Sequence, residues 1–324
     1  MRVCIYGAGA IGGYVGAQLA QAGADVSLVA RGPHLKAMRE NGLRLRIGDE
    51  ERVARVTCTD DPSELGPQDC VFVALKAHSI PSVVDAMQPL LSNDTSIVTA
   101  VNGIPYWYFY RHGGPLEGST LETIDPGSVQ WNRLRPERAI GCIVYPATEV
   151  VEPGVIQHVY GDKFPIGEPS GERTERVERL SELMTAAGLR APVLDNIRDE
   201  MWLKLWGNLC FNPISALTHA TLDVIASSPG TRAVAKAMML EGQAIAERLG
   251  INFRVDVERR INGAGAVGAH KTSMLQDLER GRAMEINPLI TVVQELGKLT
   301  NIPTPTIDVV LALVEQRARV AGLH

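Results

Sequence analysis

The sequence predicts an α/β protein in two parts, a sheet-forming N-terminal domain over residues 1–196 and an all-helical C-terminal domain over 197–324, and three observations predict it. A β-rich run at the start breaks into closely spaced glycines and then into small, helix-compatible residues. Apolar runs of strand length recur through the first half, several of them ending at a polar or turn residue. From Asp199 onward the apolar period is helical almost throughout, with Gly and Pro as breaks. A chain of 324 residues with ordinary apolar content is long enough to bury two cores.

The first element is written in "RVCIYGAGAIGGYVGAQLAQAGADVSLVAR", which reads as strand, turn, helix, strand with the first strand over Val3 to Tyr6. Gly7 permits a tight turn, Gly9 lets backbone approach a pyrophosphate, and Gly12 lets helix and strand pack closely. The helix N–H groups that follow point at phosphates. In this βαβ setting the motif predicts a Rossmann-like, dinucleotide-binding domain rather than a chance glycine turn. At the end of the second strand, "DVSLVARG", a carboxylate would accept bonds from the adenosine ribose of NAD. Arg31 stands there instead, with His34 and Lys36 shortly after, and a guanidinium suits the 2′-phosphate of NADP. The plain alternative for Arg31 is an exposed surface arginine.

Two further strands, "CVFVALKA" and "SIVTAVNGIP", deliver Lys76 and Asn102 beyond their carboxyl ends, where an open parallel sheet places its ligand crevice. Either residue could instead cap a neighbouring helix, and Asn102-Gly103 is also an ordinary turn dipeptide. Residues 105–135, rich in aromatics at Tyr106, Trp107, Tyr108, Phe109, Tyr110 and Trp131, are too long for a simple connection. They read as a lid or subunit contact, or equally as a packed excursion. Strand-like runs follow in "AIGCIVYPATEV", "GVIQHVYG" and "KFPIGEP", then an amphipathic helix from Arg173 to Ala187, and the domain boundary falls near Asn196.

In "WLKLWGNLCFNP" Lys204, Asn208 and Asn212 recur every fourth residue, so they share one helix face in an otherwise apolar run. A buried amide or ammonium without a partner costs several kcal/mol, so the stripe must meet a ligand or another helix. Asn212-Pro213 predicts a kink. Ser273 and Glu285, in "KTSMLQDLERGRAMEIN", are candidates to meet it, with Glu285 able to neutralise and orient Lys204. Their plain alternatives are a helix N-cap for Ser273 and a solvated helix face for Glu285.

The formal net charge of -5 shows none of the clustered Lys and Arg that a nucleic-acid partner requires. Cys4, Cys58, Cys70, Cys142 and Cys210 are scattered without a CxxC pair and read as reduced core residues; no cluster has metal-ligand spacing. No secretory leader or membrane-length apolar run is present, so no membrane association is expected and the cytoplasm is the expected location. The late apolar helices suggest a homodimer.

These residues together resemble the ketopantoate reductase family (2-dehydropantoate 2-reductases), nearly from end to end. The matches are "GAGAIGG", Lys76, "NG" at Asn102, "GVIQHV", the "K-x3-N-x3-NP" of Lys204, Asn208 and Asn212, and "SMLQD" with Glu285 twelve residues after Ser273. The resemblance implies NADPH-dependent reduction of a 2-oxo acid, foremost ketopantoate to pantoate in pantothenate biosynthesis. It implies Lys204 as proton donor with Glu285 as a second catalytic residue, and Asn102, Lys204, Asn208, Asn212 and Ser273 as substrate groups. It also implies Gly7, Ala8, Gly9, Ala10, Ile11, Gly12, Arg31, Lys76, Asn102, Ala147 and Glu285 around the cofactor. The chain departs from the pattern at Leu222, eighteen residues after the lysine, where some members carry another asparagine, and in the long aromatic excursion. Both departures bear on substrate choice, so a bulkier 2-oxo acid is an alternative substrate. Two other readings are a non-catalytic NADP(H)-sensing module, which would not need a proton-donating lysine, and an oxidative NAD-linked hydroxy-acid dehydrogenase, which would want an acid at Arg31.

Overall fold

The computed structural model describes residues Met1 to Leu323. They form two compact units: Met1–Val101 with Pro105–Ile197, and Asn102–Ile104 with the chain from Arg198 onward.

The first unit opens with β1 (Arg2–Tyr6), α1 (Ala10–Gln21), β2 (Asp25–Val29) and α2 (Gly32–Asn41). Then come β3 (Leu43–Ile47), β4 (Glu50–Ala54), β5 (Thr57–Thr59), β6 (Cys70–Val73) and β7 (Ser96–Thr99). The unit closes with α3 (Val129–Arg133), β8 (Ala139–Cys142), β9 (Ala147–Glu152), β10 (Val155–Tyr160), β11 (Ile166–Gly167) and α4 (Glu175–Ala186). Seven strands make one sheet in the order β11-β8-β7-β6-β1-β2-β5, parallel except for the β8–β11 pair. Its central strands are buried on both faces, which is why "VCIY" and "CVFV" read as unbroken apolar runs. The chain leaves β1 toward β2 on one side and returns to β6 on the other, so the loop after β1 lies at the topological switch point.

A second sheet, β4-β3-β10-β9, was not foreseen as a layer. Here "GVIQHV" pairs in parallel with β3 and buries Val155 and Ile156. Helix α1 packs against strands of both sheets, and its glycines permit this. A Cβ on Gly12 would stand 2.2 Å from the Gly7 carbonyl oxygen, and one on Gly13 would stand 2.7 Å from Ile156 of the second sheet.

The opening of the aromatic excursion is packed, as its reading as a packed excursion expects. Tyr106, Trp107, Tyr108 and Phe109 are buried within the first unit, and the Trp107 indole N–H donates to Thr99 Oγ1 at 2.9 Å. Aromatics of this size bury most area when they fill a core, and that is where these four go.

The second unit contains α5 (Ile197–Thr218), α6 (Leu222–Ser227), α7 (Pro229–Arg248) and α8 (Val257–Gly265), then α9 (Ser273–Glu279), α10 (Val292–Thr300) and α11 (Pro305–Val320). The helix α5 includes Pro213 and continues to Thr218. A π-helical turn, Asn287–Thr291, leads into α10. The cap of α9 is Thr272, whose side chain accepts from Leu275 N, so Ser273 is the first helical residue and not the cap.

Candidate active site

At the switch point a cleft of roughly 830 Å³ is lined by Gly7, Ala8, Gly9, Arg31, His34 and Asp60, among others. Gly7 has φ +100°, a backbone state that favours glycine, and a Cβ on Gly9 would meet nothing within 4 Å, so the loop is open on that side. Ala10, Ile11 and Gly12 form the first turn of α1. Their N–H groups have no partner inside the helix and present a positive dipole end. This cradle fits a pyrophosphate. Arg31 is exposed at the N-cap position of α2 and lines the cleft; a guanidinium suits a phosphate by charge and by fork geometry. Lys36 is turned to solvent beside Glu40, at 3.9 Å. His34 is engaged by backbone on both ring nitrogens. Asp60, from the end of β5, pairs with Arg39 at 3.5 Å, and sequence reading passed it over because no motif surrounds it. Lys76 precedes a short 3-10 turn, Ala77–Ser79, and Ala147 begins β9 opposite Tyr160; the lining of this cleft includes neither.

The helical unit gathers the other residues. Lys204 Nζ donates to Asn102 Oδ1 at 2.8 Å, and Asn102 Nδ2 donates to Glu285 Oε2 at 2.9 Å. The glutamate therefore reaches the lysine through the Asn102 amide, so any orienting of Lys204 by Glu285 passes through that side chain. Glu285 is only 9% exposed and stands just before the π-helical turn, so it is not on a solvated helix face. Asn102 belongs to this unit because Gly103 lets the segment dock. Gly103 has φ +83°, and a Cβ there would lie 1.8 Å from the Pro288 carbonyl oxygen. The dipeptide is thus more than a turn.

One turn along α5 from Lys204, Asn208 is half-buried on the same face. Asn212, 3% exposed, directs Nδ2 to Ser273 Oγ at 3.4 Å, a long and weak contact. The polar stripe of α5 therefore faces partners from other segments of its own unit: Asn102 for the lysine and Ser273 for the last asparagine. Leu222 begins α6, and its N–H bonds to His270 O.

An ammonium held by an amide–carboxylate pair in one unit, and a phosphate-cradling loop at the switch point of the other, define a dinucleotide-dependent oxidoreductase. The chain belongs to the ketopantoate reductase family: residues 3–171 match ketopantoate reductase PanE/ApbA and residues 196–318 match its C-terminal domain. The 2-dehydropantoate 2-reductase of Mesorhizobium japonicum is 58% identical to it, with both chains covered completely. A Ralstonia solanacearum MolK2 structure, assigned as a ketopantoate reductase, superposes with a TM-score of 0.96 at 39% identity, covering 100% of this chain and 99% of that one. The PanE/ApbA family ketopantoate reductase of Ralstonia eutropha JMP134 gives 0.85 at 28% identity, covering 99% and 100%. At 20% identity, D-mandelate dehydrogenase with NADH and anilino(oxo)acetate shares the fold with a TM-score of 0.85. No helix among the described residues is long and apolar enough to cross a membrane.

Proposed function

We propose that the chain reduces 2-dehydropantoate to pantoate with NADPH, in pantothenate biosynthesis, and that Lys204 is its proton donor. The observation that carries this reading is the Lys204–Asn102–Glu285 chain of hydrogen bonds. When bound, NADPH supplies the hydride, and the Rossmann loop of Gly7 to Gly12 with Arg31 fits its phosphates; the family resemblance puts Lys76 and Ala147 near the cofactor. As charge builds on the ketone oxygen, the Lys204 ammonium stabilises it and gives up a proton from Nζ. Asn102 holds Nζ in place by accepting from it. Glu285, by accepting from Nδ2, fixes which end of the amide faces the lysine. Asn208, Asn212 and Ser273 offer hydrogen bonds to the substrate's carboxylate and hydroxyl.

The test is NADPH oxidation, with NADH in parallel, against ketopantoate and a panel of 2-oxo acids from pyruvate to branched and aromatic ones. Strong preference for ketopantoate is expected. Preference for a bulkier acid would keep the chemistry and move the substrate, with Leu222 and its surroundings the place to look. Tight NADPH binding without turnover would return the chain to a sensing role. The five free cysteines support a reducing, cytoplasmic setting. Val309, Leu313 and Val320, exposed along α11, support a homodimer, and sedimentation of the purified protein tests it.

A further inference from the structure

His34 is half-buried near the start of α2, and both its ring nitrogens are used by backbone. Nε2 lies 2.8 Å from Ala8 O, and Nδ1 lies 2.9 Å from the Gly154 N–H. An amide N–H can only donate, so Nδ1 is the acceptor and Nε2–H donates to Ala8. The neutral Nε2–H tautomer is the one that makes both bonds. The imidazole thus ties the phosphate loop to the turn between β9 and β10.

Both ends of this tie bear on the cleft. A trans peptide is planar, with its C=O and N–H on opposite sides. Holding Ala8 O toward His34 therefore holds the Gly9 N–H to the other side, and a flip of that peptide would turn a carbonyl oxygen where an N–H should meet a phosphate. At the far end, Gly154 is pinned a second time because its carbonyl accepts from Arg44 N at 2.9 Å. It also packs so closely on α2 that a Cβ would stand 3.0 Å from Ala37 Cβ. The residues before it, Val151, Glu152 and Pro153, line the same cleft as Arg31.

We propose that His34 is a positioning residue for the cofactor: it locks the Ala8–Gly9 peptide with its N–H toward the pyrophosphate and anchors the β9–β10 turn as the cleft's far wall. It acts through Ala8 and Gly154, not by touching the reacting atoms. The proposal rests on the NADPH reading above. Three variants partition the two bonds. His34→Gln keeps a donor long enough for Ala8, His34→Asn keeps a shorter amide that reaches toward Gly154, and His34→Ala keeps neither.

The experiment titrates NADPH by fluorescence into the wild type and each variant, with kcat at saturating NADPH and the melting temperature measured alongside. His34→Ala should weaken NADPH binding by at least about tenfold with kcat within about twofold, the size of a lost oriented bond. His34→Gln should recover most of the affinity, and His34→Asn less. Wild-type affinity in His34→Ala, or equal affinities for the Gln and Asn variants, overturns the proposal. So does a fall in kcat that matches the fall in affinity and melting temperature without rescue by Gln. Failure of the wild type itself to bind NADPH withdraws the cofactor reading, and this proposal with it.

Discussion

Lys204 and Asn102 make separable contributions. An ammonium that both stabilises the developing oxyanion and donates the proton contributes about 10²–10⁴ in rate. Lys204→Ala should therefore lower kcat at least a hundredfold, while the NADPH dissociation constant, read by fluorescence, stays within about twofold. Unchanged turnover would remove the proposed role. Asn102→Ala leaves the ammonium but takes away its 2.8 Å acceptor and the partner of Glu285. A buried carboxylate left without its donor is costly, so kcat should fall by about tenfold or more, with the intact lysine leaving this variant more active than Lys204→Ala. Arg31, by contrast, lines the cleft of the nucleotide-binding unit, where it is proposed to meet the 2′-phosphate. Its loss should raise KM for NADPH at least about tenfold and leave NADH nearly untouched, as expected for a charge-assisted phosphate contact. Equal effects on the two cofactors would retract the assignment.

Among the elements, the segment from Asn102 to Ile104 depends on one glycine. Gly103→Ala would place a methyl into the Pro288 carbonyl and strain a positive-φ residue. The strain alone costs on the order of 1–3 kcal/mol, and the clash adds to it. Urea denaturation should show the loss, and a midpoint equal to that of the wild type would mean the segment docks some other way. This contact also marks what sequence could and could not convey. The βαβ glycines, Arg31 after β2 and the four-residue spacing on α5 were legible because local geometry alone makes them meaningful. The aromatic run was legible as ordered, but its partner, Thr99 and the first unit's core, is a tertiary fact. The hairpin β3–β4 was passed over although "LRLRIGDEERVA" alternates around a Gly-Asp turn, with Leu43 and Leu45 buried and the arginines between them more exposed. Its layer needs β10, more than a hundred residues later, and no local pattern shows that pairing. Nor does spacing reveal that Asn102, which follows a strand of the sheet unit, packs with the helices.

At the scale of the whole molecule, burial of the thiols sets an alkaline limit. Burial pushes Cys4, Cys70 and Cys210 up from the ordinary 9.0 to about 12, because a thiolate cannot be solvated in the core. A group whose folded pKa is raised contributes stability that is complete below its unfolded pKa and is lost as pH rises through the folded value. Stability should therefore hold to about pH 9, the ordinary value of a thiol. Above that it should decline progressively toward pH 12. A denaturation series over that range checks the slope, and native alkylation should leave these three cysteines unmodified at pH 8 while the half-buried Cys58 reacts slowly. Flat stability up to pH 12 would mean the thiols do not ionise on unfolding as supposed. The docked Asn-Gly segment has a last consequence, for inheritance. The helical half does not carry its proposed catalytic group entire, since the acceptor for its lysine is encoded about a hundred codons upstream, within the other half's stretch of gene. A recombination that joins these helices to a foreign nucleotide-binding half would transmit Lys204 and Glu285 yet draw the bridging amide from the donor. Such chimeras should be active only when the donor supplies Asn-Gly at that junction, so the two halves are bound to evolve as one unit.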